Sequence, residues 1–448
     1  MNKMESMDIR KLVLTMSVPI AASMLVGALY NIVDGIFVAQ YSGQGFLAVS
    51  LAAPIQTLMI AVACGLGVGF NTVLARFLGQ KKERQAGQAA AIGLWMALAA
   101  SLFFAVVGWF GSAWFLSLFT DNAQVLSMGT SYLKISTLFS YPIFFQIAFE
   151  RIMQAVGKPM YNLAIQGTGA VVNIILDPLF IFGLDLGVQG AAIATIIGET
   201  TAMTLGMVIT KWKVKEFTLH KEDFVPDWSM AAMIWHIALP AIIMQALTSI
   251  MTVLMNGLLA SHSEIAVSAF GAFYKLQQFV LMTVLGITNA IIPIIAFNFG
   301  AGHWNRIQET VKFSTRLAMV IMALGTLLFT FIPGPLLQLF GADQALMKTG
   351  TSCLQIISLS FIFMGISLID CAAFQALNHS RTSLVITLFR QLFGLIPAAA
   401  LLLRFFGING CWAAFPTVEI LAAAASQWQW HRLKTTESTK MKKEAAAS

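Results

Sequence analysis

The sequence predicts an all-α polytopic membrane protein, with twelve transmembrane helices in two homologous six-helix lobes related by a pseudo-twofold axis along the membrane normal. Of its 448 residues, 58% are hydrophobic and only 10% charged, against about 25% charged in soluble domains. Apolar runs recur along the whole length, and each is long enough to cross ~30 Å of hydrocarbon as a helix. The chain also repeats itself at an offset near 221 residues.

Polar loops and Gly/Pro punctuation divide the chain into segments at 12–40, 47–75, 88–112, 127–153, 161–183, 188–210, 230–259, 265–297, 312–333, 345–376, 382–404 and 409–430. The first is too long for a signal-peptide core and has no small-residue cleavage site, so it is expected to remain as a helix. Alternate loops separate by charge. The N-terminus, the links 2–3, 4–5, 6–7, 8–9 and 10–11, and the C-terminal tail, counted with the segment turns that adjoin them, hold 23 of the 27 Lys and Arg. The opposite ends hold only Lys348 and Arg404, and Lys134 and Lys275 lie deeper inside segments. The positive-inside rule then places both termini in the cytoplasm. The same distribution explains the net charge of +7. Lys81–Arg84 and Lys440–Lys443 read as topology signals and contacts to anionic lipid, and no nucleic-acid partner is expected. Cys64, Cys353, Cys371 and Cys411 fall inside segments without CxxC spacing, which argues against zinc, a redox pair or a disulfide framework.

The repeat is collinear. Leu116–Phe119 (LSLF) returns as Leu337–Phe340 (LQLF), Gly129–Leu133 as Gly350–Leu354, Gln154–Val156 as Gln375–Leu377, and Pro19 as Pro240. Gly187–Gly190 with Glu199 returns at offset 220 as Gly407–Gly410 with Glu419. Six spans per half make the repeat parallel, so both halves start on the same side of the membrane. The expected limits are a first lobe at 1–210, a cytoplasmic linker at 211–229, a second lobe at 230–434 and a frayed polar tail at 435–448.

The informative residues are those the repeat does not preserve. Asp34 aligns with Met255 and Asp177 with Ala398, so these two membrane aspartates belong to the first lobe alone. Asn173 and Asp177 are four apart and share a helix face, and Pro178 interrupts the backbone ladder beside them. Asp34 and Asp177 each stand about six residues before the outer end of their segments, roughly 9 Å below the surface at ~1.5 Å per residue, so they can meet at one depth. Thr195 reaches the same level, and Tyr30 and Asn31 lie one turn deeper on the face of Asp34. Intramembrane carboxylates point to function, the plainer reading being a structural Asp neutralised by a neighbouring helix. An oxygen-only set suits a small hard cation or a shared proton rather than a transition metal.

Taken together, these features resemble the multidrug and toxic compound extrusion (MATE) family, specifically its bacterial DinF-like and MepA-like branches. The resemblance rests on the twelve spans, the two lobes, Tyr30–Val38 (YNIVDGIFV), Gly157-Lys158-Pro159 and Asn173…Asp177-Pro178. It implies a monomeric multidrug efflux antiporter of the bacterial cytoplasmic membrane. Such a protein expels amphipathic, often cationic drugs and dyes by alternating access, in exchange for H⁺ or Na⁺. It also implies a proton or Na⁺ site at Asp34, Asn173, Asp177 and Thr195, with no cofactor beyond the coupling ion. The NorM-like branch uses a seventh-helix Glu instead. That segment here offers only Gln245, Thr248 and Asn256, while Asp370 leaves a second ion site open.

The remaining candidates for the cargo pathway are Glu150 and Gln154, near the cytoplasmic end of the fourth segment, and Lys275. Glu150 has an equally good reading as an interfacial ion pair with Arg151 or Lys158, and Lys134 and Lys275 as snorkelling or paired lysines. The recurrence of Glu199 as Glu419 favours a packing or helix-end role common to both lobes. One alternative is a flippase of lipid-linked or other anionic precursors, which would require basic groups converging on the cleft. A membrane enzyme would require a set such as HExxH or GxSxG, and neither occurs; a receptor would not require two homologous lobes.

Overall fold

A computed structural model describes residues 3–225 and 227–447, with side chains to residue 436 except at 221. No strand occurs among the described residues. Nine helices there are individually long and apolar enough to cross a membrane. A tenth span is the pair Gln344–Ser358 and Phe361–Ala376, bent by 47°. The fourth span is divided into Ala123–Leu138 and Tyr141–Ala155, so neither piece alone is long enough. The eleventh and twelfth run together as one helical stretch, Ser380–Thr436, interrupted by a π-helical turn at Phe389–Phe393 and by a non-helical residue at Gly407, where φ is 65° and ψ is −156°. All twelve predicted spans are therefore present. The last helix continues to Ala447, so the tail expected to fray from Thr435 is helical. The side chains of the Lys440–Lys443 cluster lie outside the described residues.

The repeat reappears as backbone geometry. Positive φ angles pair at Lys81 and Gly302, Gly157 and Asn378, and Gly187 and Gly407, so the same turns recur in each half. The two motifs of two glycines three apart now have a physical reason. Their first glycine takes the left-handed turn between spans, and their second lets two backbones touch, since a Cβ on Gly190 would stand 2.7 Å from Phe180 O. One cation was misplaced: Arg390, counted with the loops, is 7% exposed inside the eleventh span, in the π-helical turn Phe389–Phe393.

Two compact units result, residues 22–242 and residues 1–21 with 243–448. Their bounds differ from the expected domain limits, because each unit contains the start of the other repeat's first helix. The chain changes unit two residues after Pro19 and two residues after Pro240, where the missing backbone donor weakens the ladder. Glycines hold these helix starts in place. In residues 22–242, a Cβ on Gly65 would lie 2.7 Å from Ile242 N, and one on Gly69 2.8 Å from the Ala238 Cβ. In the other unit, a Cβ on Gly286 would lie 2.6 Å from the Ala21 Cβ. Gly65 with Ile242 and Gly286 with Ala21 are the same contact, 221 residues apart. Such small-residue contacts let membrane helices approach closely. Gly65→Val is expected to destabilise the protein by roughly 1–3 kcal/mol through overpacking, read as a lower unfolding temperature in detergent, whereas Gly257→Val, with open space around its Cβ position, is expected to change little.

Candidate functional site

The predicted site residues cluster in the unit formed by residues 22–242. The first span (Ile9–Tyr41) carries Tyr30 and Asp34, the fifth (Met160–Pro178) carries Asn173 and Asp177, and the sixth (Gly187–Lys213) carries Thr195 and Glu199. In each helix the two residues are four apart and share a face. The fifth and sixth spans approach closely because glycines face each other. A Cβ on Gly198 would lie 2.7 Å from Gly169 O and 3.1 Å from the Asn173 Cβ. Directly after Pro178 the helix widens into the π-helical turn Leu179–Gly183, a distortion that recurs at functional sites.

Asn173 is the hub. Its Nδ2 donates to Asp177 Oδ1 at 3.2 Å and to Thr195 Oγ1 at 3.4 Å. The carboxyl groups of Asp34 and Asp177 lie within hydrogen-bonding reach of each other. Asp177 is fully buried and Asn173 is 2% exposed. Even so, Asp34 Oδ1, Asn173 Oδ1 and Asp177 Oδ2 have no hydrogen-bond partner. Two carboxyl groups in contact cannot both stay charged and unbridged. One shared proton or one small cation relieves the repulsion and satisfies oxygens that are otherwise costly to bury. The set therefore fits H⁺ or Na⁺, with Asp34, Asn173, Asp177 and Thr195 all offering oxygen.

Beside it lies a small, partly open polar pocket lined by Tyr30, Gln146, Gln166, Asn173, Thr195 and Glu199, with the small Gly169 and Ala170 completing its wall. Gln146 Nε2 donates to Gln166 Oε1 at 2.7 Å and to Glu150 Oε1 at 3.2 Å. Glu150 is thus linked to the pocket through Gln146, while Lys158 pairs with Glu216 at 2.8 Å. One turn past Asp34 and Asp177, Val38 and Ile181 join Tyr132 and Val188 in an apolar cluster.

Other expected residues stand elsewhere. Asn31 is exposed and its Nδ2 donates to Gly27 O of its own helix at 2.8 Å. Gln154 is buried and accepts from Arg151 Nη1 at 3.1 Å. Asp370 belongs to the other unit, fully buried, and takes hydrogen bonds from Ser426 Oγ at 2.6 Å and Gln427 Nε2 at 2.8 Å. Lys275, also in that unit, holds its ammonium 6.0 Å above the Phe340 ring. Lys134 stands 5.1 Å above Trp109, both lysines using aromatic faces.

Sequence reasoning missed Gln146, Gln166 and the position of Glu199. The common role expected for Glu199 and Glu419 is not met: Glu419 is paired with Arg390 at 2.8 Å, whereas Glu199 lines the pocket. The signal was available in Arg390, eight residues into a predicted span, since a charge at that depth needs a partner.

Twelve membrane spans in two repeated lobes, with a polar pocket buried among the spans of one unit, define a solute transporter architecture. The family model MatE matches residues 19–179 and again residues 240–399, with starts at the offset seen in the sequence. The chain belongs to the MatE family of membrane transporters. It is 26% identical to the multidrug export protein MepA of Staphylococcus haemolyticus, covering 91% of this chain and 90% of that one. It is 27% identical to the FAD transporter of Shewanella oneidensis, with 96% of each covered. Its fold matches an outward-facing multidrug resistance MATE family transporter of the MOP superfamily with a TM-score of 0.91 at 22% identity over 98% of each chain. A MOP superfamily transporter from Pyrococcus furiosus with a binding pocket of reverse polarity matches at 0.90 and 21% identity, over 97% of this chain and 98% of that one.

Proposed function

We propose that this protein is a multidrug efflux antiporter that expels amphipathic, often cationic compounds in exchange for H⁺ or Na⁺, working as a monomer with both termini in the cytoplasm. The observation that carries the reading is the contact of Asp34 with Asp177 among buried oxygens without partners. A proton or Na⁺ bound there neutralises the charge, and a cationic cargo competes for the same negative field, so loading one favours release of the other. The pocket wall contains carboxylate, amide, hydroxyl and phenol groups and no Lys or Arg. That polarity favours a cationic cargo over an anionic one such as a flavin dinucleotide or a lipid-linked pyrophosphate, which calls for convergent basic groups.

The test is transport by the purified protein in liposomes, with ethidium followed under an imposed proton gradient and then an imposed sodium gradient. Movement that follows one gradient and is absent without it is expected, and it names the coupling ion. Ethidium that moves under neither gradient, together with gradient-driven movement of a flavin dinucleotide, overturns the reading.

A further inference from the structure

The internal repeat lets each half serve as a control for the other. Glu419, the counterpart of Glu199, is held by the guanidinium of Arg390: Nε donates to Oε1 at 2.9 Å and to Oε2 at 3.1 Å, and Nη2 to Oε1 at 2.8 Å. Both residues are 7% exposed, and the charge on each is matched inside the protein. The counterpart of Arg390 is Gly169 at the offset of 221 or Ala170 at 220, according to where the one-residue difference between the repeats falls. Both line the pocket. Glu199 makes no hydrogen bond or ion pair among the described residues. The same glutamate thus faces an arginine in one repeat and, in the other, a small polar pocket in which the counterparts of that arginine stop at Cβ or short of it.

We infer that Glu199 recognises the cationic head group of the cargo, accepting a guanidinium, amidinium or ammonium where Arg390 stands in the second repeat. This rests on the reading of the chain as an exporter of organic cations and adds the residue that selects them. The rest of the pocket wall suits the same guest. Asn173 Oδ1 is an acceptor without a partner on a residue only 2% exposed, and Tyr30 puts an aromatic side chain in the wall. Gln146 already spends both amide hydrogens on Glu150 and Gln166, which leaves the wall rich in acceptors. The position also links cargo to ion. Glu199 is one turn from Thr195, whose hydroxyl receives the same Asn173 amide that holds Asp177.

The test uses the purified full-length protein and two fluorescent probes, the amidinium dye DAPI and the uncharged N-phenylnaphthylamine, with Glu199→Gln and Glu199→Asp. Glu199→Gln is expected to weaken DAPI binding at least about tenfold, the scale of one charge-assisted pair, with N-phenylnaphthylamine binding unchanged. Glu199→Asp, which keeps the charge, is expected to fall between Glu199→Gln and the wild type. The inference is overturned if Glu199→Gln binds DAPI as tightly as wild type. It is equally overturned if that variant loses both dyes alike, which would make Glu199 a packing residue. Failure of the wild type itself to bind DAPI sinks the organic-cation reading, and this inference with it.

Discussion

Asp177→Asn is expected to abolish gradient-driven dye transport while leaving dye binding in place. The substitution keeps the shape of the side chain and one oxygen for the Asn173 amide, now 3.2 Å away, so the contact within the helix survives. What it removes is the ionisable carboxyl to which the proposed exchange assigns the proton or the Na⁺ shared with Asp34. One proton moving through 100 mV supplies ~2.3 kcal/mol, equivalent to a cargo gradient of roughly fifty-fold. In liposomes the variant should show accumulation no greater than that of empty vesicles, and Asp34→Asn should behave alike, because the pair works only as a pair. Wild-type transport by Asp177→Asn would move the coupling group elsewhere. Asp370 would then be the next carboxylate to test, although its oxygens are already held by Ser426 and Gln427.

The second large effect is structural. Arg390→Met should destabilise the protein by about 3–5 kcal/mol, the usual consequence of leaving one buried charge without its partner, and thermal unfolding in detergent should show it as a marked loss. Adding Glu419→Leu to that variant should recover most of the loss, because a buried ion pair replaced as a whole by apolar groups is often neutral in stability. Glu199→Gln should change the unfolding temperature little, having no pairing partner to lose. Glu199 and Glu419 occupy matching places in the sequence, and a wide difference between their variants would show that one serves the fold and the other the pocket. Equal losses for the two would argue that Glu199 is structural as well.

The membrane class, the spans and the repeat were legible in the sequence because each follows from local pattern. An apolar run long enough to cross hydrocarbon has few other folds open to it, and collinear matches at one offset require no geometry to be seen. Asp34, Asn173, Asp177 and Thr195 were legible for a related reason, since polar residues stand out against an apolar background and their depth follows from counting. Asn31 stands out in the same way, but its side-chain amide bonds to Gly27 O of its own helix and it is not part of the pocket wall. Three breaks in the span count were also hidden: the divided fourth span, the bent tenth, and the eleventh and twelfth run together across Gly407. In each, the backbone departs from regular helix with little change in composition.

The sequence by itself determined that this is a membrane protein of twelve spans in two repeats, with Asp34 and Asp177, neither matched in the second repeat, both in the first. Hydropathy and repetition are properties of the chain, readable one residue at a time. Only the tertiary structure decided that the starts of the first and seventh spans each join the body of the other repeat, because that exchange depends on whether Gly65 and Gly286 leave room for a neighbouring helix. Only the tertiary structure separated Glu199 from Glu419, one lining a pocket and the other held by Arg390. Whether a buried charge is satisfied depends on what a different helix brings within about 3 Å of it, and distances between helices are set by packing rather than by sequence spacing.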